Sequence, residues 1–306
     1  MSRPHLRASA CLVAASALVL AGCTPDVEEV DGKPKVLTTF TVIADMAEQV
    51  GGEYLDINSI TKFDQEIHDY HPTPDDIKNA EGAQLILNNG LGLERWFERF
   101  VSNSDAVTVE LSEGVEPIPI GEGDDRGKPN PHAWMSPTVA QVYVDNIVTA
   151  FSELDPDHRA DYEKNGEEYK AQLAEVDAKL KAELAKVPEN QRVLVTCEGA
   201  FSYLARDTGL EEKYLWGVNA EGALTPQRVA EVESYVKENN VPAVFCESTV
   251  GDKMKPIVES TDAAFGGILY VDSLTSEGGD VPSYLDLLSY DATLIANGLT
   301  GNIDTN

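Results

Sequence analysis

Short apolar runs alternate with amphipathic segments along most of the chain. In its first half, runs of strand length occupy residues 36–42, 55–61, 85–87 and 107–111, and segments with helical spacing separate them. Strands that alternate with helices at this interval predict parallel βαβ units. A second series occupies residues 193–197, 214–218, 243–246 and 268–271, followed by a helical pattern at 284–299. The pattern predicts an α/β protein of two lobes, each with a parallel sheet flanked by helices.

Helix starts are marked by a capping side chain followed by proline. Thr73-Pro74, Ser136-Pro137, Asp155-Pro156 and Thr225-Pro226 all have this form, in which proline occupies the first turn. The helix that begins at Asp155 is expected to be long, because one apolar stripe continues along it. A single stripe favours packing along the same chain over a coiled-coil partner. We therefore expect an N-terminal lobe at 36–154, a rigid linking helix at 155–187 and a C-terminal lobe at 188–306.

The N-terminus has the pattern of an export signal. Arg3 and Arg7 precede an apolar run at residues 8–20 that is too short to span a bilayer as a permanent helix. The run ends in Leu-Ala-Gly-Cys, which resembles the lipobox of bacterial lipoproteins and implies cleavage before Cys23 and lipidation of its sulfur. Residues 1–22 are thus a predicted signal peptide and 23–35 a flexible, acidic tether. The alternative is a plain secretory signal with a chance cysteine.

Charge narrows the range of partners. The chain has 53 acidic and 23 basic residues and a formal net charge of −30. This balance argues against nucleic acid or an anionic membrane surface as a partner. It suits a protein that collects cations, although most of these charges are expected on solvated helix faces.

Two cysteines remain in the predicted mature domain. Cys197 and Cys246 each end a predicted buried strand. If those strands are neighbours, the Cα atoms can lie within the roughly 4.4–6.8 Å that a disulfide needs. We predict a disulfide, since exported proteins retain such bonds; two buried free thiols are the alternative.

Histidine is scarce, with five in the chain, and one of them lies in a constrained turn. His132 stands between Pro131 and Pro137, beside Trp134. Taken alone, this stretch is better interpreted as an ordinary half-buried histidine.

A metal becomes the better interpretation once three distant residues are added. His68, His132, Glu198 and Asp272 all stand just past predicted strand ends or in loops. In open parallel sheets, ligands bind outside the carboxyl ends of the strands. Two imidazoles and two carboxylates form a mixed nitrogen and oxygen set that suits a divalent metal of intermediate hardness.

With these residues in place, nearly the whole mature chain resembles the TroA-like substrate-binding proteins, the metal-binding lipoproteins of manganese and zinc ABC importers. The motifs that carry the resemblance are Glu66-Ile67-His68-Asp69-Tyr70, Leu91-Gly92-Leu93-Glu94 with Trp96, Asn130-Pro131-His132-Ala133-Trp134, Glu198-Gly199-Ala200-Phe201 and Val271-Asp272-Ser273. The resemblance implies two α/β lobes bridged by a rigid helix. It also implies that His68, His132, Glu198 and Asp272 hold the metal between the lobes.

The resemblance also bears on the choice of metal. Zinc-type members tend to have histidine at the third ligand position and a histidine-rich loop before the second ligand. Here the third position is Glu198, and residues 122–130 contain no histidine. Both departures favour Mn(II), with Fe(II) as an alternative. Zn(II) binds almost any site of this kind more tightly than Mn(II), so selectivity has to come from geometry and metal supply.

Several nearby residues receive a plainer interpretation. His71 is expected to be a supporting or surface residue, and His158 a solvated one. Glu198 is expected at a helix N-terminus, where the dipole favours its ionised form. Glu247 is either a hydrogen-bonding partner of a ligand or a structural carboxylate. Trp134 is expected to pack under its turn.

Three classes of function are compatible with a metal site. The first is a non-enzymatic binding protein, a monomer anchored by its lipid on the extracytoplasmic side of the cell membrane, which passes the metal to an ABC permease. The second is a metallohydrolase, but catalytic sites keep a position for water and no further acid, base or nucleophile is evident. The third is an adhesin or an importer component for an organic solute. Metal capture is favoured, and only small movements of the lobes are expected on metal binding. We also hypothesise that breakage of the predicted disulfide beside Glu198 promotes metal release.

Overall fold

The computed structural model describes residues 32–101, 104–123, 125–218, 224–250 and 253–303. The predicted signal peptide, the lipidation site Cys23 and most of the tether lie outside these ranges. In the part of the chain that is described, no helix is both long and apolar enough to cross a membrane.

The N-terminal lobe is built on a four-stranded parallel sheet. Its strands are β1 (Lys35–Thr38), β2 (Asp56–Ser59), β3 (Leu85–Asn88) and β4 (Val107–Glu110), in the order β2-β1-β3-β4. The connecting helices are α1 (Thr41–Gly51), α2 (Pro74–Ala80) and α3 (Phe97–Val101). The predicted parallel βαβ arrangement is confirmed, and it directs the carboxyl ends of all four strands to one edge.

Two element boundaries in this lobe differ from the prediction. The strand expected at 36–42 ends at Thr38, and Thr41 and Val42 form the first turn of α1. Phe40 at the N-cap makes no side-chain capping hydrogen bond, so no capping residue marked this helix start. The helical segment expected between 85–87 and 107–111 begins only at Phe97. Leu91 and the glycines on either side of it have positive φ angles that no α-helix contains.

The C-terminal lobe contains two parallel strand pairs. Strand β5 (Val193–Glu198) pairs with β6 (Glu211–Trp216), and β7 (Ala243–Glu247) pairs with β8 (Ala264–Leu269). Helices α6 (Ser202–Thr208), α7 (Pro226–Glu238) and α8 (Lys255–Ser260) flank them. Helix α8 was not predicted. Strands β6 and β8 begin earlier than expected. In β8, Gly266, Gly267 and the exposed Phe265 weaken the apolar pattern that would have marked the start of the strand.

Three long helices, one from each lobe and one that links them, pack together. Helix α4 (Pro137–Leu154) starts with the predicted cap, in which the Ser136 hydroxyl accepts a hydrogen bond from the Val139 N–H. Helix α5 (Arg159–Leu184) packs against α1, α4 and α9 (Tyr284–Thr300). Its predicted apolar stripe is buried throughout: Tyr162, Tyr169, Leu173, Val176, Leu180 and Leu184.

The predicted cap at Asp155 is wrong. Its carboxylate accepts hydrogen bonds from Tyr162 Oη and His158 Nδ1, both at 2.7 Å, and does not cap a backbone N–H. A 3₁₀ turn at Pro156–His158 therefore precedes α5. Two further 3₁₀ turns lie at Ala133–Met135 and Glu189–Gln191.

Candidate metal centre

The four candidate ligands lie where strands end and connecting loops begin. His68 follows β2, His132 precedes the 3₁₀ turn that leads into α4, Glu198 ends β5 and Asp272 follows β8. All four are buried, with exposures of 7%, 0%, 8% and 2% respectively. The edge placement inferred from the sequence thus brings residues from both lobes to one interior position.

The two imidazoles and the Asp272 carboxylate form a tight triangle. The Nε2 atoms of His68 and His132 are 3.0 Å apart, and Asp272 Oδ1 lies 3.8 Å from each. Two nitrogen ligands of one ion, each about 2.0–2.1 Å from it, also lie about 3 Å apart. Glu198 completes the arrangement, since one of its carboxylate oxygens lies within 4.8 Å of ligand atoms of both histidines.

The ring of His132 is fixed by hydrogen bonding on its far side. Its Nδ1 lies 2.9 Å from Asn130 Oδ1, which also accepts the His132 backbone N–H at 3.0 Å. An amide oxygen can only accept, so Nδ1 carries the proton and Nε2 presents a lone pair. Burial, followed by the neighbouring His68, holds the pKa of His132 well below its usual value. The imidazole is therefore neutral and suited to bind a metal.

Asp272 places an unsatisfied oxygen beside these imidazoles. Its Oδ1 is buried and has no hydrogen-bond partner among the residues that the structure describes. Burial raises the pKa of Asp272 well above its usual value, and the charges of Glu66, Glu198 and Glu247 raise it further. A buried polar atom without a partner costs about 1–3 kcal/mol, and the neutral His132 ring cannot balance the carboxylates. A divalent cation would satisfy the lone pair and the charge together.

Glu198 is held by its backbone and not by a helix terminus. It is the last residue of β5, and α6 begins only at Ser202, so the predicted helix N-terminal position is wrong. Instead, the Glu198 N–H donates to the two carboxylate oxygens of Glu247 at 3.2 and 3.3 Å. Glu247 is 2% exposed, and burial followed by Glu198 raises its pKa well above the usual value. This contact is made to the backbone of Glu198 and not to its side chain, so it is compatible with both interpretations of Glu247.

Comparison with known proteins identifies the group to which this arrangement belongs. The sequence profile of the family described as ZnuA, the periplasmic component A of a zinc-uptake complex, matches residues 36–298. The chain belongs to this family. Its members are metal-binding transport components and not enzymes, in agreement with the prediction from the sequence.

Relatives within the ZnuA family differ in the metals that their names carry. The chain is 45% identical to the iron-binding protein YfeA of Yersinia pestis, over 97% of this chain and 98% of that protein. It is 32% identical to the manganese ABC transporter substrate-binding lipoprotein PsaA of Streptococcus mitis, over 93% and 96%.

Solved structures show the same fold. A manganese-bound periplasmic metal-binding protein from Candidatus Liberibacter asiaticus superposes with a TM-score of 0.80 at 33% identity, over 87% of this chain and 100% of that one. The periplasmic zinc-binding protein TroA of Treponema pallidum gives a TM-score of 0.80 at 25% identity, over 88% and 99%. The predicted TroA-like fold is confirmed.

Two residues near the centre of this ZnuA-family protein were not singled out from the sequence. Glu66 is exposed, yet one of its oxygens lies within 4.8 Å of ligand atoms of His68 and Asp272. Its Oε1 accepts the backbone N–H groups of Ile67 and His68, each at 3.0 Å. The other residue is Asn130. A carboxylate two positions before a ligand histidine was the available signal for Glu66, whereas the partners of Asn130 across the fold left no trace in the local sequence.

The remaining histidines and Trp134 lie outside the group of candidate ligands. His71 is exposed and lines an open cavity of about 540 Å³ that His68 also borders. His158 stacks on Tyr54 with ring centroids 4.0 Å apart, so the expectation that it is simply solvated is wrong. Trp134 is fully buried against Phe40 as expected, and its Nε1 donates to the Val271 carbonyl at 3.1 Å.

Proposed function

We propose that this protein captures Mn(II) outside the cytoplasm and delivers it to an ABC permease, with His68, His132, Glu198 and Asp272 as the metal ligands. The observation that carries the proposal is the buried Asp272 Oδ1, which has no hydrogen-bond partner in the described part of the chain and lies 3.8 Å from two imidazole nitrogens. A cation would bind this carboxylate oxygen together with the lone pair of the neutral His132 ring, and the carboxylates would balance its charge.

The oxygen content of the site supports manganese over zinc. Glu198 and Asp272 supply two carboxylates, and Glu66 adds a third beside Asp272. Carboxylate ligands suit Mn(II), whereas zinc sites are richer in nitrogen and sulfur. PsaA, which carries manganese in its name, supports the same choice.

Fe(II) is the second candidate. It is similar to Mn(II) in its ligand preferences, and the 45% identical relative YfeA is named an iron-binding protein. Zn(II) remains a candidate on affinity alone, since it binds mixed nitrogen and oxygen sites more tightly than either.

We also propose the surrounding organisation of the mature protein. Cleavage after residue 22 leaves Cys23 lipidated, and residues 23–35 tether the domain to the extracytoplasmic face of the membrane. Residues 36–154 and 188–306 act as the two lobes and residues 155–187 as the linking segment. The presence of lipoproteins among the relatives supports this arrangement, and the domain is expected to work as a monomer.

Metal analysis tests the cargo. The protein is purified without chelators or added metal, its bound metal is measured by mass spectrometry, and Mn(II), Fe(II) and Zn(II) are then competed against one another anaerobically. We expect manganese to be bound at one ion per chain when it is supplied at excess over zinc. Recovery of iron alone from a medium that contains both metals would transfer the proposal to Fe(II).

Ligand variants test the site. His68→Ala and Asp272→Ala remove donors that face the ion and should abolish tight binding in calorimetry. His71→Ala is the matched control, because this histidine lies three residues from His68 but is exposed. Similar losses in all three variants would show that the ligand assignment is wrong.

A further inference from the structure

The side chain of Asn130 joins the two lobes immediately behind the metal centre. It is 2% exposed. Its Oδ1 accepts from the His132 ring and backbone, while its Nδ2 donates to the Gly199 carbonyl at 2.7 Å and to Ser202 Oγ at 3.2 Å. Gly199 directly follows Glu198. One side chain therefore contacts the segments that carry two of the four proposed ligands.

Only a carboxamide can make this set of contacts. Its oxygen accepts from the His132 ring, and its nitrogen donates to a carbonyl oxygen. An aspartate at this position would still accept from His132, but its second oxygen would face the Gly199 carbonyl without a proton between them. The TroA-like signature has aspartate at this position, so the asparagine changes both the charge behind His132 and the contact with Gly199.

The backbone of Asn130 is held independently of its side chain. Its N–H donates to the Ile118 carbonyl at 2.7 Å, and its carbonyl accepts from the Tyr203 hydroxyl at 2.7 Å. These bonds survive truncation of the side chain. A loss of function in side-chain variants is therefore not expected to come from collapse of the turn.

We propose that Asn130 is a positioning residue that sets the His132 tautomer and couples His132 to the Glu198–Gly199 segment, so that loss of either contact speeds release of the metal. The proposal rests on the assignment of His132 and Glu198 as metal ligands. Hydrogen-bonding partners of metal ligands commonly contribute 10–100-fold to affinity. Because Asn130 contacts both lobes, movement of His132 away from the Glu198–Gly199 segment would break its hydrogen bonds. We therefore expect release of the ion to accompany this separation.

Two variants separate the two roles. Asn130→Ala removes both contacts, and Asn130→Asp keeps the acceptor for His132 Nδ1–H but removes the donor to Gly199. Nitrogen NMR of the metal-free, histidine-labelled protein reports the tautomer, and transfer of Mn(II) to an excess of chelator reports the release rate. We expect the wild-type tautomer in Asn130→Asp, loss of that fixed tautomer in Asn130→Ala, and release about 10–100-fold faster in the alanine variant. The aspartate variant should also release metal faster than wild type.

The controls distinguish this proposal from the one on which it rests. Asn146→Ala is matched, because Asn146 also bridges two backbone carbonyls, those of Leu111 and Glu113, and it should keep wild-type release. Failure of the wild-type protein to bind metal would overturn the proposed function itself. Wild-type tautomer and release rate in Asn130→Ala, or wild-type release in Asn130→Asp, would overturn the positioning role while leaving metal binding intact.

Discussion

The acidic side chains of the centre are arranged at a cost to the metal-free protein. Within the described ranges, Asp272 Oδ1 has no hydrogen-bond partner. Glu66, Glu198 and Glu247 all raise the pKa of this carboxyl group in addition to the effect of burial. A site of this kind trades stability of the empty protein for attraction to a cation. The Asp272 carboxylate should therefore destabilise the metal-free protein and stabilise the metal-bound protein.

Asp272→Asn should make this trade visible. The amide has nearly the same shape but carries no charge, so we expect the metal-free variant to melt at a higher temperature than the wild type. Saturating Mn(II), at about 1,000 times Kd, should add about 4 kcal/mol to the wild type and almost nothing to the variant. Calorimetric unfolding with chelator and with metal measures both effects. A lower melting temperature in the metal-free variant would contradict the cost assigned to this carboxylate.

Single residues also show where sequence-based prediction ends. His68, His132, Glu198 and Asp272 come together as expected because strand ends in parallel sheets converge by topology. Asn130 could not be predicted, because its Gly199 contact spans 69 residues and depends on how the lobes pack. The contact between Glu247 and the Glu198 N–H spans 49 residues, and for the same reason the sequence left two interpretations of Glu247.

Among the secondary-structure elements, β5 and β7 are bound covalently beside the centre. The predicted disulfide between Cys197 and Cys246 is present, with Cα atoms 4.9 Å apart. Each cysteine directly precedes a residue of the centre: Cys197 precedes Glu198, and Cys246 precedes Glu247. The bond thus holds together the two strand ends that are also joined by the contact between Glu247 and the Glu198 N–H.

Removal of this bond should lower both stability and metal affinity. The disulfide closes a loop with a sequence separation of 49 residues, for which chain entropy corresponds to about 4 kcal/mol. We expect the Cys197→Ser/Cys246→Ser protein to lose free energy of unfolding on that order in chemical denaturation. Its Mn(II) affinity should fall as well, because Glu198 loses a constraint. Reductant should reproduce these effects in the wild type and leave the double variant unchanged; equal metal affinity in all samples would eliminate the redox hypothesis.

A buried carboxylate next to β3 should make the N-terminal lobe sensitive to pH. Glu94 accepts hydrogen bonds from Thr39 Oγ1 and the Asn89 N–H, both at 2.7 Å, but burial outweighs them and raises its pKa to about 7. The folded state then holds a proton that the unfolded state releases near the ordinary pKa of 4.5. The free energy of unfolding should therefore fall as pH rises from about 4.5 to 7, by up to about 1.4 kcal/mol per pH unit.

Glu94→Gln tests this expectation, since an amide cannot titrate. Denaturation of the metal-free protein across this pH range should show a flatter slope in the variant than in the wild type. Glu163→Gln on the exposed side of α5 serves as the control. An unchanged slope in Glu94→Gln would mean that other groups dominate the pH dependence.

Element boundaries show the limit of pattern reading. The apolar run at 36–42 fits a strand and the first turn of a helix equally well, and Phe40 at the N-cap of α1 provides no capping side chain to mark where the helix begins. Short α8 has a single fully buried residue, Ile257, so it left no periodic signal. By contrast, the caps at Thr73, Ser136 and Thr225 are local chemistry and were predicted correctly.

For the whole molecule, buried contacts between the lobes restrict how far they can separate. The Thr41 hydroxyl accepts the Leu274 N–H at 3.0 Å, and Asp45 Oδ2 accepts the Tyr284 N–H at 3.0 Å. Trp134 and Asn130 add hydrogen bonds to Val271 and Gly199. A continuous apolar core also includes residues of both lobes and the buried stripe of α5. Wide opening would break these bonds, at about 1–3 kcal/mol for each buried group left without a partner.

Metal binding is therefore expected to change the molecule locally. Small-angle scattering of residues 33–306 should give a radius of gyration of about 19 Å, unchanged within error between chelated and Mn(II)-loaded samples. Hydrogen exchange should instead slow at the loops that carry His68 and Asp272, while the amides of α5 remain protected in both states. The Asp272→Ala variant, loaded identically, controls for effects of metal on the solvent. A marked compaction of the wild type would contradict the restraint assigned to α5 and the cross-lobe hydrogen bonds, and would require a hinge elsewhere in the chain.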